Sequence, residues 1–322
     1  MGKKVTKNLF FLKKRTFFVL FLPKTWCNPN IFCNFAGQME LSLLIRNRLM
    51  SLSRPRVMAI INFSPDSFYT SCDVSHESDL LSHVEEALRS GADILDLGAC
   101  STRPNSTPVD TATEWQLLSR GLDMIRHHWH DVPISVDTFR AEIAERAIAH
   151  GADIINDVSG AKADPNVWDL VARHHVPYVL THAQPTAESV MVEVLHFLQQ
   201  YMDQLHRRGV ADVIIDPGFG FGKTMEQNYA LLNQLEVLQT LCAPVLVGVS
   251  RKSMLYKPLQ TTPDEVLAAT IAANTLALER GAHILRVHDV AAAHQAINIF
   301  QLTHNSSLIT HKSHVHRNKR HH

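Results

Sequence analysis

The chain has 322 residues, a formal net charge of +0 and a hydrophobic share of 45%. That balance gives no global electrostatic case for nucleic acid or an anionic membrane, and the length allows one large core. The cysteines (Cys27, Cys33, Cys72, Cys100, Cys242) are odd in number and irregularly spaced, so they point to neither a disulfide framework nor a zinc site and fit a reducing cytoplasm.

Residues 1–39 contain no Asp or Glu but carry Lys and Arg and an aromatic run, Phe17–Leu22. That run is far shorter than the roughly 20 apolar residues of a membrane span. Residues 1–54 are therefore read as a dispensable N-terminal extension, with Met39 and Met50 as later candidate starts. A weak interfacial anchor and a transit peptide are the alternatives.

From about residue 57 the pattern becomes regular. Eight apolar runs are predicted as strands: Val57–Ile61, Asp93–Leu97, Ile134–Val136, Ile154–Ile155, Tyr178–Leu180, Val213–Ile215, Val245–Val249 and Ile284-Leu285. Helical periodicity covers His76–Ser90, Thr111–His128, Arg140–His150, Glu188–Arg208, Glu226–Leu241, Pro263–Arg280 and Ala291–Leu302. Three helices end in a Gly-Ala-polar turn: Gly91-Ala92-Asp93, Gly151-Ala152-Asp153 and Gly281-Ala282-His283. Glycine past a helix end takes the left-handed conformation at little cost. Eight β-α units predict a single-domain (β/α)8 TIM barrel over 55–302, and residues 303–322 read as a disordered His-rich tail.

Nearly every strand ends in a polar residue, and in such a barrel those ends converge on one site. Asp137, Asn156, Asp216 and Lys252 supply two carboxylates, an amide and a cation. That set suits a flat heterocycle with an amino-pyrimidinone edge. Taken singly, each is as well read as a loop starter or helix cap. Arg286 and His288 alternate on the last strand, so they share a face next to Asn62 at the end of the first; together they suit a phosphate or diphosphate with Mg²⁺. The competing reading pairs Arg286 with Asp289, and His182 reads as structural. Gly222-Lys223-Thr224 looks like the end of a phosphate-binding loop, but the glycine required five residues earlier is Pro217. Two long loops, Asn62-Phe63-Ser64-Pro65-Asp66-Ser67-Phe68 and Ser101-Thr102-Arg103-Pro104, fall on the same end of the barrel.

These segments, with Ser135-Val136-Asp137-Thr138, Asn156-Asp157-Val158-Ser159-Gly160, Asp216-Pro217-Gly218-Phe219-Gly220-Phe221, Ser250-Arg251-Lys252-Ser253 and Arg286-Val287-His288-Asp289, resemble the motifs of the dihydropteroate synthase family from about Arg56 to Phe300. The resemblance implies a folate-pathway transferase, a sulfonamide target. It would join 6-hydroxymethyl-7,8-dihydropterin diphosphate to 4-aminobenzoate with release of diphosphate, use Mg²⁺ and form a homodimer. It implies that Asp137, Asn156, Asp216, Phe221 and Lys252 hold the pterin, and that Arg286 lies on its ring face. Arg286, His288 and Asn62 would handle diphosphate and metal. Thr102, Pro104 and Ser253 would frame the aminobenzoate, and Asp66, Phe68 and Arg103 would act from the loops.

The chain departs from the family pattern at Tyr69-Thr70-Ser71-Cys72 and Asn105, where glycines are usual, and at Thr181-His182-Ala183, where Met-His-Met is common. A pterin-binding methyltransferase domain needs neither Ser-Thr-Arg-Pro nor Ser-Arg-Lys-Ser. A non-catalytic paralogue would lose Asn62, Arg286 or His288, and all three are present.

Overall fold

The computed structural model describes residues 40–63, 74–99, 109–160, 164–183, 185 and 189–304. A hairpin comes first, β1 (Ser42–Ile45) and β2 (Arg48–Ser51). Eight parallel strands follow: β3 (Arg56–Asn62), β4 (Ile94–Gly98), β5 (Ile134–Asp137), β6 (Ile154–Asp157), β7 (Tyr178–Thr181), β8 (Val213–Asp216), β9 (Leu246–Val247) and β10 (Ile284–Val287). Their order is β8-β7-β6-β5-β4-β3-β10-β9, and a parallel bridge from Ile215 to Val245 joins the two ends, closing the barrel.

The helices are α1 (Val74–Arg89), α2 (Thr111–His128), α3 (Ala141–Ala149), α4 (Asn166–His174), α5 (Val190–Arg207), α6 (Met225–Asn233), α7 (Ser253–Tyr256), α8 (Leu267–Glu279) and α9 (Val290–His304). Two expected helices are divided: Leu235–Leu241 and Pro263–Glu265 are separate 3-10 turns. No helix among the described residues is long and apolar enough to cross a membrane.

Side chains alternate across each strand. Outward residues such as Val57, Ala59, Leu95, Leu97, Val136, Leu180 and Val287 pack under the helices. Inward residues Met58, Ile94, Ile154, Val179, Ile214, Leu246 and Ile284 form a separate apolar floor. Two residues further along, the inward positions of the other six strands become Asp96, Asn156, Thr181, Asp216, Gly248 and Arg286, while β3 keeps Ile60 there and turns polar at Asn62. One step of strand period thus separates a dry floor from a polar mouth.

The Gly-Ala-polar turns tie the bottom rim. Asp93 Oδ2 accepts from Val57 N at 2.9 Å, Asp153 Oδ2 from Ile134 N at 2.9 Å, and His283 Nδ1 from Val245 N at 3.1 Å. Each polar residue caps the first free N–H of an adjacent strand.

The hairpin bears on the expected N-terminal extension. It lies inside the range assigned to a dispensable extension, yet Leu43, Ile45 and Leu52 belong to the floor cluster. Arg46 (φ 49) and Asn47 (φ 60) form its two-residue turn, and Arg46 Nε reaches Asp153 Oδ1 at 3.0 Å. Burying such side chains stabilises by roughly 1.5–3 kcal/mol each. A protein starting at residue 40 is therefore expected to melt like the full chain, and one starting at residue 53 to melt clearly lower. Equal melting temperatures would show that the hairpin contributes nothing.

Candidate functional site

The polar mouth is built around Arg286. Its Nε donates to Asp96 Oδ2 at 2.7 Å and its Nη2 to Asp137 Oδ2 at 2.9 Å. Asn156 Nδ2 donates to the same Asp96 oxygen at 3.1 Å. Asp137 and Asn156 are register partners on β5 and β6, and Arg286 enters from β10 across the barrel. The expected alternative for Arg286 is not realised: Asp289 is held by Arg251, at 2.7 and 3.1 Å, and Arg251 also reaches Asp264 at 2.8 Å.

Asp96 was missed in the sequence. It is fully buried between Leu95 and Leu97. Its signal was a charge inside an apolar strand, in phase with Ile94 on the floor.

Burial drives the electrostatics. It pushes Asp137 up to about 7; Arg286 opposes that shift, and Asp96 adds to it. Burial also works against the charge on Arg286, but the neighbouring Asp96 and Asp137 outweigh it and hold the guanidinium above its ordinary value. Asp216 is raised by burial, against the pull of Lys252. Lys252 is pushed down to about 8 by burial, with Asp216 opposing.

Asp216 ends β8, and its Oδ1 accepts from Gly218 N at 2.7 Å. Lys252 Nζ donates to Phe219 O and sits 4.8 Å from the centre of the Phe221 ring. The predicted set Asp137, Asn156, Asp216, Lys252, Phe221 and Arg286 therefore shares one end of the barrel.

Asn62 ends β3 beside Gly98, where an added Cβ would lie 3.1 Å from Asn62 Oδ1 and 3.6 Å from Asp137 Cβ. Glycine thus leaves the space that brings Asn62 next to Asp137. His288 is exposed at the rim, with Nδ1 3.0 Å from Ser250 Oγ. Ser253 opens α7, half-buried, next to Lys252. Asp66, Phe68, Thr102, Arg103 and Pro104 lie outside the described residues.

His182 packs against helix α5. It is buried, with its ring edge-on to Phe197 at 4.9 Å and Nε2 3.7 Å from Glu193. The lookalike phosphate loop is not one. Thr224 caps α6 in a capping box with Gln227, and Lys223 Nζ is spent on two carbonyl oxygens.

Four inward polar atoms are buried with no partner among the described residues: Asp96 Oδ1, Ser135 Oγ, Asn156 Oδ1 and Thr181 Oγ1. A buried polar atom left unpaired costs roughly 1–3 kcal/mol. Several at one barrel mouth mark a place built to receive a polar ligand or water.

Residues 58–288 match the model of the pterin binding enzyme family. The dihydropteroate synthase of Clostridium beijerinckii is 37% identical over 244 residues, which is 74% of this chain and 90% of that protein. The chain belongs to the dihydropteroate synthase family. A solved member, the Xanthomonas albilineans enzyme with 4-aminobenzoic acid, superposes with a TM-score of 0.78 at 37% identity, covering 83% of this chain and 99% of that one. The Thermus thermophilus enzyme in complex with 6HMPPP gives 0.71 at 35% identity, covering 81% and 99%. Family membership thus accounts for a barrel whose polar residues gather at the strand ends.

Proposed function

We infer that the protein is a dihydropteroate synthase, a transferase of folate biosynthesis and of the sulfonamide-target type. It joins 6-hydroxymethyl-7,8-dihydropterin diphosphate to 4-aminobenzoate. One observation carries this most directly: buried Asp96, Asp137, Asn156 and Asp216 with half-buried Lys252 and Arg286 at one end of the barrel, and unpaired acceptors above an apolar floor. An amino-pyrimidinone edge offers N–H donors to those acceptors and accepts from Lys252.

In the reaction the methylene C–O bond to diphosphate breaks and a C–N bond forms to the arylamine, which then loses a proton. The amine is neutral near pH 7, so no strong base is required. The pterin ring spreads the positive charge left on the methylene, and the dry floor beneath it offers no water to intercept that charge. Arg286 uses two of its five N–H groups on carboxylates, leaving the others for the substrate. Arg286 and His288 handle the diphosphate.

Among the described residues no three His, Cys, Asp or Glu side chains cluster as a metal cage. Mg²⁺ would arrive with the diphosphate, because such an ion would keep several waters and take only one or two protein oxygens. Asn62 Oδ1 is the oxygen assigned to it. When bound, the ion would offset the charge growing on the leaving group.

Thr102, Pro104 and Ser253 frame the aminobenzoate, while Asp66 and Arg103 act on the reacting centre. Arg103→Ala and Asp66→Ala are therefore expected to cut turnover while leaving pterin affinity near wild type. Affinity falling in step with rate, measured by calorimetry and single-turnover kinetics, would place them in the fixed pocket instead.

The protein is assigned to the cytoplasm and to a homodimer. The surface offered for the dimer is the exposed apolar set Leu267 and Leu276 of α8 with Ile299 and Leu302 of α9. A monomer mass in solution would refute that assembly. The activity itself is tested by diphosphate release with each substrate omitted in turn. Release is expected only with both; release that ignores 4-aminobenzoate, or none with both present, overturns the assignment.

A further inference from the structure

We propose that Lys223 is a positioning residue for the pterin subsite: its buried ammonium staples the Asp216-Pro217-Gly218 turn to the end of β7 and so aims the Asp216 carboxylate into the barrel mouth. The proposal rests on the function inferred above, and it concerns a side chain that neither the reaction nor the floor of the barrel uses.

Lys223 is buried, and it faces backbone rather than solvent. Its Nζ donates to Gly218 O at 2.7 Å and to His182 O at 3.0 Å. A buried ammonium is retained only where partners compensate its lost hydration. Here the partners are two carbonyl oxygens from different elements, converging on one point. Their dipoles repel one another unless a cation sits between them. The ammonium therefore sets the distance between the β8 turn and the end of β7.

The backbone at that contact has no slack. Gly218 adopts φ +71, and a Cβ added there would lie 1.9 Å from His182 O. The turn and the strand end already touch, so the Gly218 carbonyl cannot swing away without breaking the Lys223 bridge. The Gly218 N–H, on the other side of the same Cα, is the donor that fixes Asp216 Oδ1 at 2.7 Å. With one carboxylate oxygen fixed, the other is left for the ligand. The next carbonyl, Phe219 O, is taken by Lys252. Asn228 holds the far side, accepting from Gly220 N at 2.7 Å and donating to Lys223 O at 3.2 Å. Lys223 thus holds the Gly218–Phe219 peptide, and Lys252 and Asn228 hold the Phe219–Gly220 peptide from its two ends.

Charge reinforces geometry. Asp216 is faced by Lys252, Lys223 and Arg286, which together oppose the effect of burial on its carboxyl. Lys223 itself is faced by Asp216, Lys252 and Glu193, and burial pushes it down to about 8. Removing Lys223 takes away both a backbone clamp and one of the cations that keep Asp216 ionised.

The test is calorimetric titration with 6-hydroxymethylpterin, which carries no diphosphate, between pH 4.5 and 8. The variants are Lys223→Met and Lys223→Arg. Lys223→Met is expected to bind at least about tenfold more weakly at pH 7, with the acid-side midpoint of binding moved to higher pH. Lys223→Arg keeps the charge but has a head too wide for the space between the two carbonyls. It is expected to keep the wild-type midpoint while binding at least about threefold more weakly, and it carries the test if the methionine protein does not fold. Wild-type affinity in either variant overturns the proposal. So does a folded Lys223→Met protein whose weakened binding shows no shift in midpoint, because a mere packing defect would give that result. Absence of pterin binding in the wild type measured alongside would instead remove the functional assignment itself.

Discussion

Arg286→Met is expected to abolish turnover and to destabilise the fold by about 3–5 kcal/mol, the usual effect of removing one partner from a buried ion pair. The guanidinium bridges Asp96, which is fully buried, and Asp137. Without it two carboxylates face each other across the barrel with only Asn156 Nδ2 donating to Asp96. The loss should depend on pH, with a fixed sign. Asp137 is raised by burial to about 7 in the folded protein, above the unfolded value of about 3.9. A carboxyl shifted upward contributes stability that is present below the unfolded value and lost as pH rises through the folded one. Arg286 is the neighbour that holds Asp137 down, so its removal raises Asp137 further. The deficit of the variant relative to wild type should therefore be larger at pH 7.5 than at pH 5.5 in urea denaturation. Asp96→Asn placed on top should restore part of the stability and none of the activity. Equal deficits at the two pH values would mean that Asp137 does not share the guanidinium.

The same geometry explains what the sequence could and could not reveal. The residues at strand ends were legible because an apolar run stopping at Asp137, Asn156 or Asp216 marks both the strand and its active-end terminus. Asp96 was hidden because it lies within a run, and only the inward phase of Ile94 distinguishes it from the outward Leu95 and Leu97. Arg286 and Asp289 are close in sequence and invited pairing. The side chain of Arg286 instead turns inward, which leaves Asp289 to Arg251. The hairpin escaped because its turn is Arg46-Asn47, with no glycine to announce two residues of positive φ. Helix α4 escaped because Asn166–His174 is short, starting just after Asp164-Pro165. For Asp96 and Arg286 a local signal was present, but its meaning depended on which face of the barrel the residue occupies.

Asp216→Asn is expected to weaken pterin binding by at least about tenfold with little change in melting temperature. The amide oxygen can still accept from Gly218 N, as Asp216 Oδ1 does at 2.7 Å. The other carboxylate oxygen becomes an NH₂ group, placing a donor where the ligand's N–H groups need an acceptor. A mismatch of that kind costs roughly 1–3 kcal/mol, more for a charged partner, and 1.4 kcal/mol is about tenfold in affinity. Stability moves little because two effects oppose. Burial already penalises the Asp216 charge, so its removal relieves the fold, while Lys252 and Lys223 lose the anion that favours their charged forms. Lys252 is held at about 8 partly by Asp216, so in the variant it should release its proton at lower pH. Pterin binding by the variant should consequently fade on the alkaline side earlier than binding by wild type. Calorimetry from pH 6 to 9 reads both effects. Unchanged affinity at pH 7 would remove Asp216 from the pocket, and an unmoved alkaline limb would show that Lys252 does not depend on Asp216 for its charge.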